Sequence, residues 1–119
     1  MIKKRTNGIV LRPISDSLLL ISAGGKASDR FLVGDSIRVL QNVSFKVFSQ
    51  HLADLIRYHL KVPFRDDTGY LQEIDMALKP ELLDPVNIKE LNEALQCYGL
   101  RLDQDIIEID VLCLSKKQR

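Results

Sequence analysis

The sequence predicts an α+β fold with a mixed, mostly antiparallel sheet and two helices packed on one face. Three observations lead to this class. Two segments have helical periodicity and marked ends, several segments alternate apolar with polar residues, and glycine and proline divide the first forty residues into short pieces. The predicted order is a β-rich N-terminal part followed by β-α-β-β-α-β-β.

The N-terminal part is expected to hold short strands. Four apolar segments are candidates, at residues 9–11, 18–21, 31–33 and 37–40. Turn-forming residues separate them, namely Pro13, Gly24, Gly25 and Gly34. This region is therefore predicted to supply several strands and no helix.

The first helix is expected over residues 44–60, with Ser44 as its N-cap. Its apolar residues recur at helical spacing, at Phe45, Phe48, Leu52, Leu55 and Ile56. Pro63 forbids continuation of the helix. Val62, Pro63 and Phe64 are therefore predicted to form a short extended segment at a sheet edge, because proline cannot donate to a β-ladder.

A turn and a one-sided strand follow this segment. Residues 66–69 read Asp-Asp-Thr-Gly, which is typical of a β-turn. Residues 73–79 alternate, with Ile74, Met76 and Leu78 on one face and charged residues mostly on the other. The segment is predicted to be a strand with one buried face.

The second helix is marked at both ends. Asn87 is a candidate N-cap, and Glu90 lies three residues later, where it can complete a capping box. The helix carries one apolar stripe, formed by Ile88, Leu91, Leu95 and Tyr98. Gly99 is expected to end it in the left-handed conformation.

The end of the chain is predicted to be a β-hairpin. Residues 100–102 and 107–111 alternate apolar with polar residues, and Asp103, Gln104 and Asp105 join them. The carboxylates of Glu108 and Asp110 are interpreted as the solvent side of the last strand.

Size and charge limit the function. A chain of 119 residues with 45% apolar residues fits one domain, residues 1–119. Six of the seventeen basic residues lie near the ends, at Lys3, Lys4, Arg5, Lys116, Lys117 and Arg119. Eleven basic and sixteen acidic residues lie between them. No basic face is expected on the folded surface, so the ends are interpreted as solvated termini and a nucleic-acid partner is not expected.

The chain is not expected to insert into a membrane, because its apolar runs are too short to span a bilayer. The opening residues have the charge of an export signal, but no hydrophobic region of the right length follows them. Either the protein is not exported or its export signal is not part of this chain.

No residue set is predicted to be catalytic, to bind a cofactor or to hold a metal. His51 and His59 share a helix, but about 12 Å separates them along its axis at 1.5 Å per residue. The string at residues 67–69 has the letters of an aspartic-protease loop, yet charged residues precede it where an apolar strand is needed. Cys97 and Cys113 are expected to be buried, and a disulfide between them stays open.

The C-terminal two-thirds of the chain resembles a family of uncharacterised bacterial exported domains, abundant in acidobacteria and Bacteroidota. The resemblance rests on the helix at residues 45–60, Val62-Pro63, the Asp-Asp-Thr-Gly turn, the strand at residues 74–78, residues 91–95, residues 98–102 and Ile109-Asp110-Val111-Leu112. This chain departs from the family pattern in having Phe64 and Arg65 between the proline and the turn. The element order also distantly resembles the short N-terminal domains of secretins and TonB-dependent receptors.

The resemblance implies a domain outside the cytoplasm, in the periplasm or cell envelope, with a protein as its partner. Together with the absence of catalytic motifs, it predicts a non-catalytic interaction module. Val62, Pro63 and Phe64 are the predicted interaction edge, although Pro63 could instead protect the edge and Phe64 could be core. The alternatives are an enzyme or redox accessory protein with a scattered site, and a homodimerisation unit.

Overall fold

The computed structural model describes residues 2–14, 21–31 and 37–111, without the side chains of Ile2, Asp110 and Val111. The elements, in chain order, are β1 (Ile2–Pro13), β2 (Ser28–Asp29), β3 (Arg38–Ser44), α1 (Phe45–Leu60), β4 (Phe64–Asp66), β5 (Glu73–Leu78), a short 3-10 helix (Pro80–Leu82), α2 (Ile88–Gln96) and β6 (Leu100–Val111). The predicted α+β fold class is confirmed.

Within the described residues the strands form two sheets of three, where the sequence predicted one. The first has the order β4-β1-β6 and the second the order β2-β3-β5. Strand β1 pairs antiparallel with β6 and parallel with β4, while both pairings in the second sheet are antiparallel. The sheets are therefore mixed and mostly antiparallel, as predicted.

One apolar core joins both sheets and both helices. Residues from each of these parts are fully buried in it, among them Leu11, Leu40, Phe48, Ile74 and Leu95. The ring of Phe48 meets those of Phe31 and Phe45 edge to face, with centroids 5.7 and 5.5 Å away. Burial of these side chains is the main stabilising term of the fold.

Both predicted helix starts are confirmed. The Ser44 hydroxyl accepts a hydrogen bond from the Lys46 N–H, and the Asn87 side chain accepts one from the Glu90 N–H. Helix α2 stops at Gln96, and a turn leads to Gly99, which has the expected left-handed φ of +78°. The caps satisfy N–H groups that a helix leaves without intrahelical partners.

The predicted C-terminal hairpin is wrong. Residues 100–111 form the single strand β6, which pairs with β1 without interruption. Asp103, Gln104 and Asp105, the predicted turn, lie opposite Val10, Ile9 and Gly8. Two alternating runs separated by polar residues indicate a hairpin only when the runs pair with each other, and here both pair with the distant N-terminal strand.

Other boundaries also differ from the prediction. Residues 9–11 are the middle of β1, and Lys3, Lys4 and Arg5 lie within that strand, not in a frayed end. Phe31 lies in a turn, not in a strand, and is fully buried. Residues 18–20, 32–36 and 112–119, with Cys113 and the basic C-terminal residues, lie outside the described residues. Within the described ranges, no helix has the length and apolarity needed to cross a membrane.

Candidate functional site

The predicted edge at Val62, Pro63 and Phe64 includes one residue that packs on the core and one that lines a cleft. Strand β4 starts at Phe64, opposite Ile9, and lies at the edge of its sheet as predicted. The Phe64 side chain is partly buried against the core. Val62 precedes the strand and is half-buried as well. Phe64 is thus a packing residue, while Val62 lines a cleft described below.

Pro63 ends the pairing between β4 and β1. Its carbonyl accepts a hydrogen bond from the Ile9 N–H at 3.0 Å, so its backbone faces β1 and not the open side of the sheet. In a parallel ladder, an N–H at this position would donate to the carbonyl of Asn7. Proline has no such N–H. The proline therefore stops the three-stranded sheet at Ile9.

Beyond that point, β1 and β6 continue as a pair. Residues 2–7 of β1 and 106–111 of β6 remain in register, from Asn7 opposite Ile106 to Ile2 opposite Val111. We call these two segments the ribbon. No third strand joins the ribbon among the described residues. The backbone of Ile9 points towards β4, and backbone direction alternates along a strand, so Arg5 and Asn7 also point to the open side of β1.

The other long edges carry partners that block them. On β5, the Tyr98 hydroxyl accepts from the Ala77 N–H at 3.2 Å and donates to its carbonyl at 3.1 Å. On β6, the Leu102 N–H donates to the Asn92 side chain at 2.8 Å, and the Ile106 N–H donates to the Asp105 carboxylate at 2.7 Å. Neither edge therefore offers an unbroken row of backbone groups.

A cleft of about 630 Å³ lies where the ribbon leaves the rest of the molecule. Its lining residues are Asn7, Gly8, Ile9, Leu60, Val62, Ile88, Gln104, Asp105 and Ile106. The apolar members are Ile9 of β1, Ile106 of β6, Leu60 at the end of α1, Val62 before β4 and Ile88 at the start of α2. Ile106 is 45% exposed. We call this space the junction cleft, and its wall adjoins the open edge of β1.

The outer face of the first sheet carries paired charges. Arg12 donates to Asp103 at 2.9 Å and to Asp105 at 2.5 Å, and Arg101 donates to Asp103 at 3.0 Å. The hydrogen bond from Arg12, with that from the Ile106 N–H, lowers the pKa of Asp105. Val10 lies beneath this layer, fully buried but outside the main core. The arginine stem and carboxylates thus cover an apolar residue on a face that would otherwise be open.

The turn after β4 also contains an ion pair. Arg65 donates to Asp67 at 2.8 and 2.9 Å, which lowers the pKa of Asp67. The Asp66 side chain accepts from the Thr68 N–H and hydroxyl. All three side chains of the Asp-Asp-Thr string are therefore used within the turn itself.

Two basic side chains of the ribbon are not paired in this way. Lys4 and Arg5 are exposed and make no ion pair or side-chain hydrogen bond with a described residue. Arg5 lies in register with Glu108 on β6. Sequence reasoning missed this surface because it interpreted residues 3–5 as a solvated end. Residues 3–8 show no apolar alternation of their own, and their strand is recognised only from the pairing with β6.

A bulge in β3 gathers a second polar cluster. Asp75 on β5 accepts from the Asn42 N–H at 2.8 Å and from the Ala23 N–H at 3.1 Å. These backbone bonds, that from Ala23 first, lower the pKa of Asp75. Asn42 has a left-handed φ of +50° and donates through its side chain to the Gly25 carbonyl. The cluster anchors the glycine turn at residues 24–25 to the second sheet.

A histidine and an aspartate pair near the start of α1. His51 Nε2 lies 2.6 Å from Asp29 Oδ2, and the Phe31 ring stacks on the imidazole with centroids 5.8 Å apart. Burial alone would raise the pKa of Asp29, but the hydrogen bonds from His51 and from the Phe31 N–H lower it overall. The pair could orient an imidazole for proton transfer.

The prediction that Cys97 is buried is wrong. Its thiol is exposed, beside a groove of about 650 Å³ between β5 and α2. The buried stripe of α2 is carried by Leu91 and Leu95, and Cys97 lies past the last helical residue, on the solvent side of the turn. Among the described residues, no group of three or more histidine, cysteine, aspartate or glutamate side chains is placed to hold a metal ion.

Comparison with known proteins gives no relative for this chain. No protein-family model, no curated protein and no solved structure matches it. The open edge of β1 and the junction cleft therefore stand as the candidate site on their geometry alone.

Proposed function

We propose that this protein is a non-catalytic interaction module that binds an extended segment of a partner protein as an added strand on the open edge of β1. The observation that supports it is the ribbon, in which the backbone groups of Arg5 and Asn7 point outwards beside an apolar cleft. Strand addition uses such backbone groups for affinity and adjacent pockets for specificity.

The bound segment lies in line with β4 and continues the sheet past Pro63. Its backbone pairs with Arg5 and Asn7, and a side chain opposite Asn7 points to the same face as Asn7, which lines the junction cleft. The predicted edge at Val62, Pro63 and Phe64 contributes through Val62, which lines the cleft, and through Pro63, which leaves this length of β1 unoccupied.

A place in the bacterial cell envelope belongs to this proposal on the resemblance described above. The resembling domains are typically exported, and the resemblance implies a protein as their partner. An added-strand site suits such a role because it needs no cofactor and no conformational change in the sheet.

Substitution of Asn7 by proline tests the mode of binding. Peptides are selected from a random library displayed on phage, and the affinity of the tightest binder is measured by fluorescence anisotropy. Asn7→Pro removes one outward N–H without touching the β1–β6 ladder, and we expect about a tenfold loss of affinity. The matched control Asn7→Ala keeps the N–H and should lose less than about twofold.

Hydrogen exchange supplies the second readout. With the peptide bound, the amides of Arg5 and Asn7 should exchange more slowly, while those of α1 and α2 should not change. Equal affinity for wild type and Asn7→Pro, with protection confined to the helices, contradicts the proposal. Melting temperatures of both variants establish that they are folded.

A specific observation favours an enzyme as the second candidate function. Asp29 holds the imidazole of His51, as the orienting carboxylate does in hydrolytic triads. The groove beside it is lined by Ser44, Lys46, Val47, Gln50 and His51. However, the Ser44 hydroxyl is used as the α1 cap. Hydrolysis of a chromogenic ester that His51→Gln abolishes would favour this candidate over the interaction module.

A further inference from the structure

The charge beside the open edge indicates the chemistry of the bound segment. Lys4 and Arg5 flank the edge on opposite faces of β1, because neighbouring side chains in a strand alternate. Both are exposed, and neither has an ionic partner among the described residues. The other arginines of the same sheet each form an ion pair with an aspartate, namely Arg12, Arg65 and Arg101. Lys4 and Arg5 thus remain available to a partner.

The junction cleft adds a second requirement. It faces the side of the sheet on which Asn7 and Ile106 lie, and its walls include Ile9, Leu60 and Val62. A residue opposite Asn7 therefore meets an apolar surface, while residues opposite Arg5 and Lys4 meet cations. Opposite charges in directly facing strand positions stabilise the pair, and like charges destabilise it.

We infer that the partner segment is acidic and extended, with carboxylates opposite Lys4 and Arg5 and one apolar side chain opposite Asn7 that enters the junction cleft. This inference rests on the proposed function, since it names the chemistry of the strand that adds to β1. Basic segments are rejected at the same positions by like charge.

A second copy of this chain is the competing occupant. The β6 strand of another molecule carries Glu108 and the half-exposed Ile106, so it offers an acidic and an apolar residue. Its edge, however, is interrupted at Ile106, whose N–H donates to the Asp105 carboxylate. Addition of β6 to β1 would also leave a free edge on each molecule and would not close into a dimer. A separate partner segment meets neither difficulty.

Three short labelled peptides test the inference by fluorescence anisotropy. Each has one central leucine with a threonine on either side of it, and two consecutive glutamates, lysines or serines follow beyond each threonine, so that charged residues lie opposite both Arg5 and Lys4. We expect the glutamate peptide to bind at least about tenfold more tightly than the lysine peptide, with a Kd that rises with salt. The Lys4→Glu, Arg5→Glu variant should reverse this order. The control Lys46→Glu, Lys79→Glu changes the net charge equally, away from the ribbon, and should leave the order unchanged.

The outcomes separate the acidic preference from strand addition. If the serine peptide binds as tightly as the glutamate peptide and Asn7→Pro weakens both, strand addition stands and the acidic preference is wrong. If none of the three peptides slows exchange at Arg5 and Asn7, both proposals fail. Self-association of the chain alone in sedimentation, abolished by Lys4→Glu, Arg5→Glu, would identify the second copy as the occupant and overturn the inference.

Discussion

The two halves of the β1–β6 pair have the same ladder but different surroundings. In the inner half, residues 8–13 and 100–105, one face lies on the core and the other lies under the Arg12, Asp103 and Asp105 layer. In the ribbon, most described side chains are exposed. Backbone pairing is therefore continuous while burial is not, and a two-stranded ladder alone is marginally stable in water.

This difference explains why the inner half is structural and the ribbon is available for binding. In the inner half, β4 covers one edge and Asn92 of α2 covers the other. The ribbon lacks both covers among the described residues. Elements that open or bind partners are usually drawn from the less stable part of a protein.

The largest expected difference between the halves is the loss of stability when an apolar side chain is shortened to alanine. Leu11 is fully buried in the inner half, so Leu11→Ala should lower the free energy of unfolding by about 2–5 kcal/mol. Ile106 is 45% exposed in the ribbon, and Ile106→Ala should cost less than about 0.5 kcal/mol. Urea denaturation of both variants measures the contrast. Similar losses would mean that the ribbon is part of the core.

Gly8 marks the boundary between the halves, and its substitution should have the next largest effect. A Cβ on Gly8 would overlap Ile107 Cδ1 and would lie 2.8 Å from the Pro63 carbonyl oxygen. The backbone at Pro63 cannot move aside as easily as a flexible side chain. Gly8→Ala should therefore lower the free energy of unfolding by about 1–3 kcal/mol. Urea denaturation measures this loss.

The double variant Gly8→Ala, Ile107→Val identifies which contact matters. Valine removes the Cδ1 atom but leaves the Pro63 carbonyl in place. We expect partial recovery relative to Gly8→Ala, after correction for the single Ile107→Val change. Complete recovery would show that the approach of Pro63 to β1 imposes no constraint.

Local signals in the sequence predicted much of the fold. Ser44 and Asn87 act as caps, Gly99 takes the left-handed position, and Ile74, Met76 and Leu78 are buried together, all as their patterns indicate. Each depends on residues within a few positions of one another. The β1–β6 pairing joins residues 87 to 109 positions apart, and no short-range pattern specifies such a partner.

The candidate site was predicted in part, for the same reason. Pro63 correctly indicated an edge, yet its missing N–H faces β1, and the open edge it leaves belongs to β1 itself. Lys4 and Arg5 become a surface only through pairing with β6. Cys97 was misplaced because composition favours burial of cysteine, whereas its position after Gln96 turns the thiol outwards.

Neutralising one carboxylate in each half should change the melting temperature less than the packing substitutions do. Asp103 accepts from both Arg12 and Arg101, so Asp103→Asn should lower the melting temperature by a few degrees. Glu108 has no ionic partner among the described residues, and Glu108→Gln should leave it unchanged. Thermal unfolding followed by circular dichroism at low salt compares them. An equal fall for both would place Glu108 in an ion pair.

The smallest expected effect is on how the melting temperature of the protein falls at acid pH. The pKa of Asp105 is lowered by Arg12, so the folded state binds a proton less readily than the unfolded chain. Its contribution is present above the ordinary aspartate pKa of about 4 and is lost as the pH falls through the lower, folded-state value. Asp105→Asn should therefore flatten the decline in melting temperature below about pH 4. Asp29, Asp67 and Asp75 also have lowered pKa values, so part of the decline should persist. An unchanged slope in Asp105→Asn would mean that Arg12 covers Val10 by packing alone, and the inner half would then differ from the ribbon in burial only.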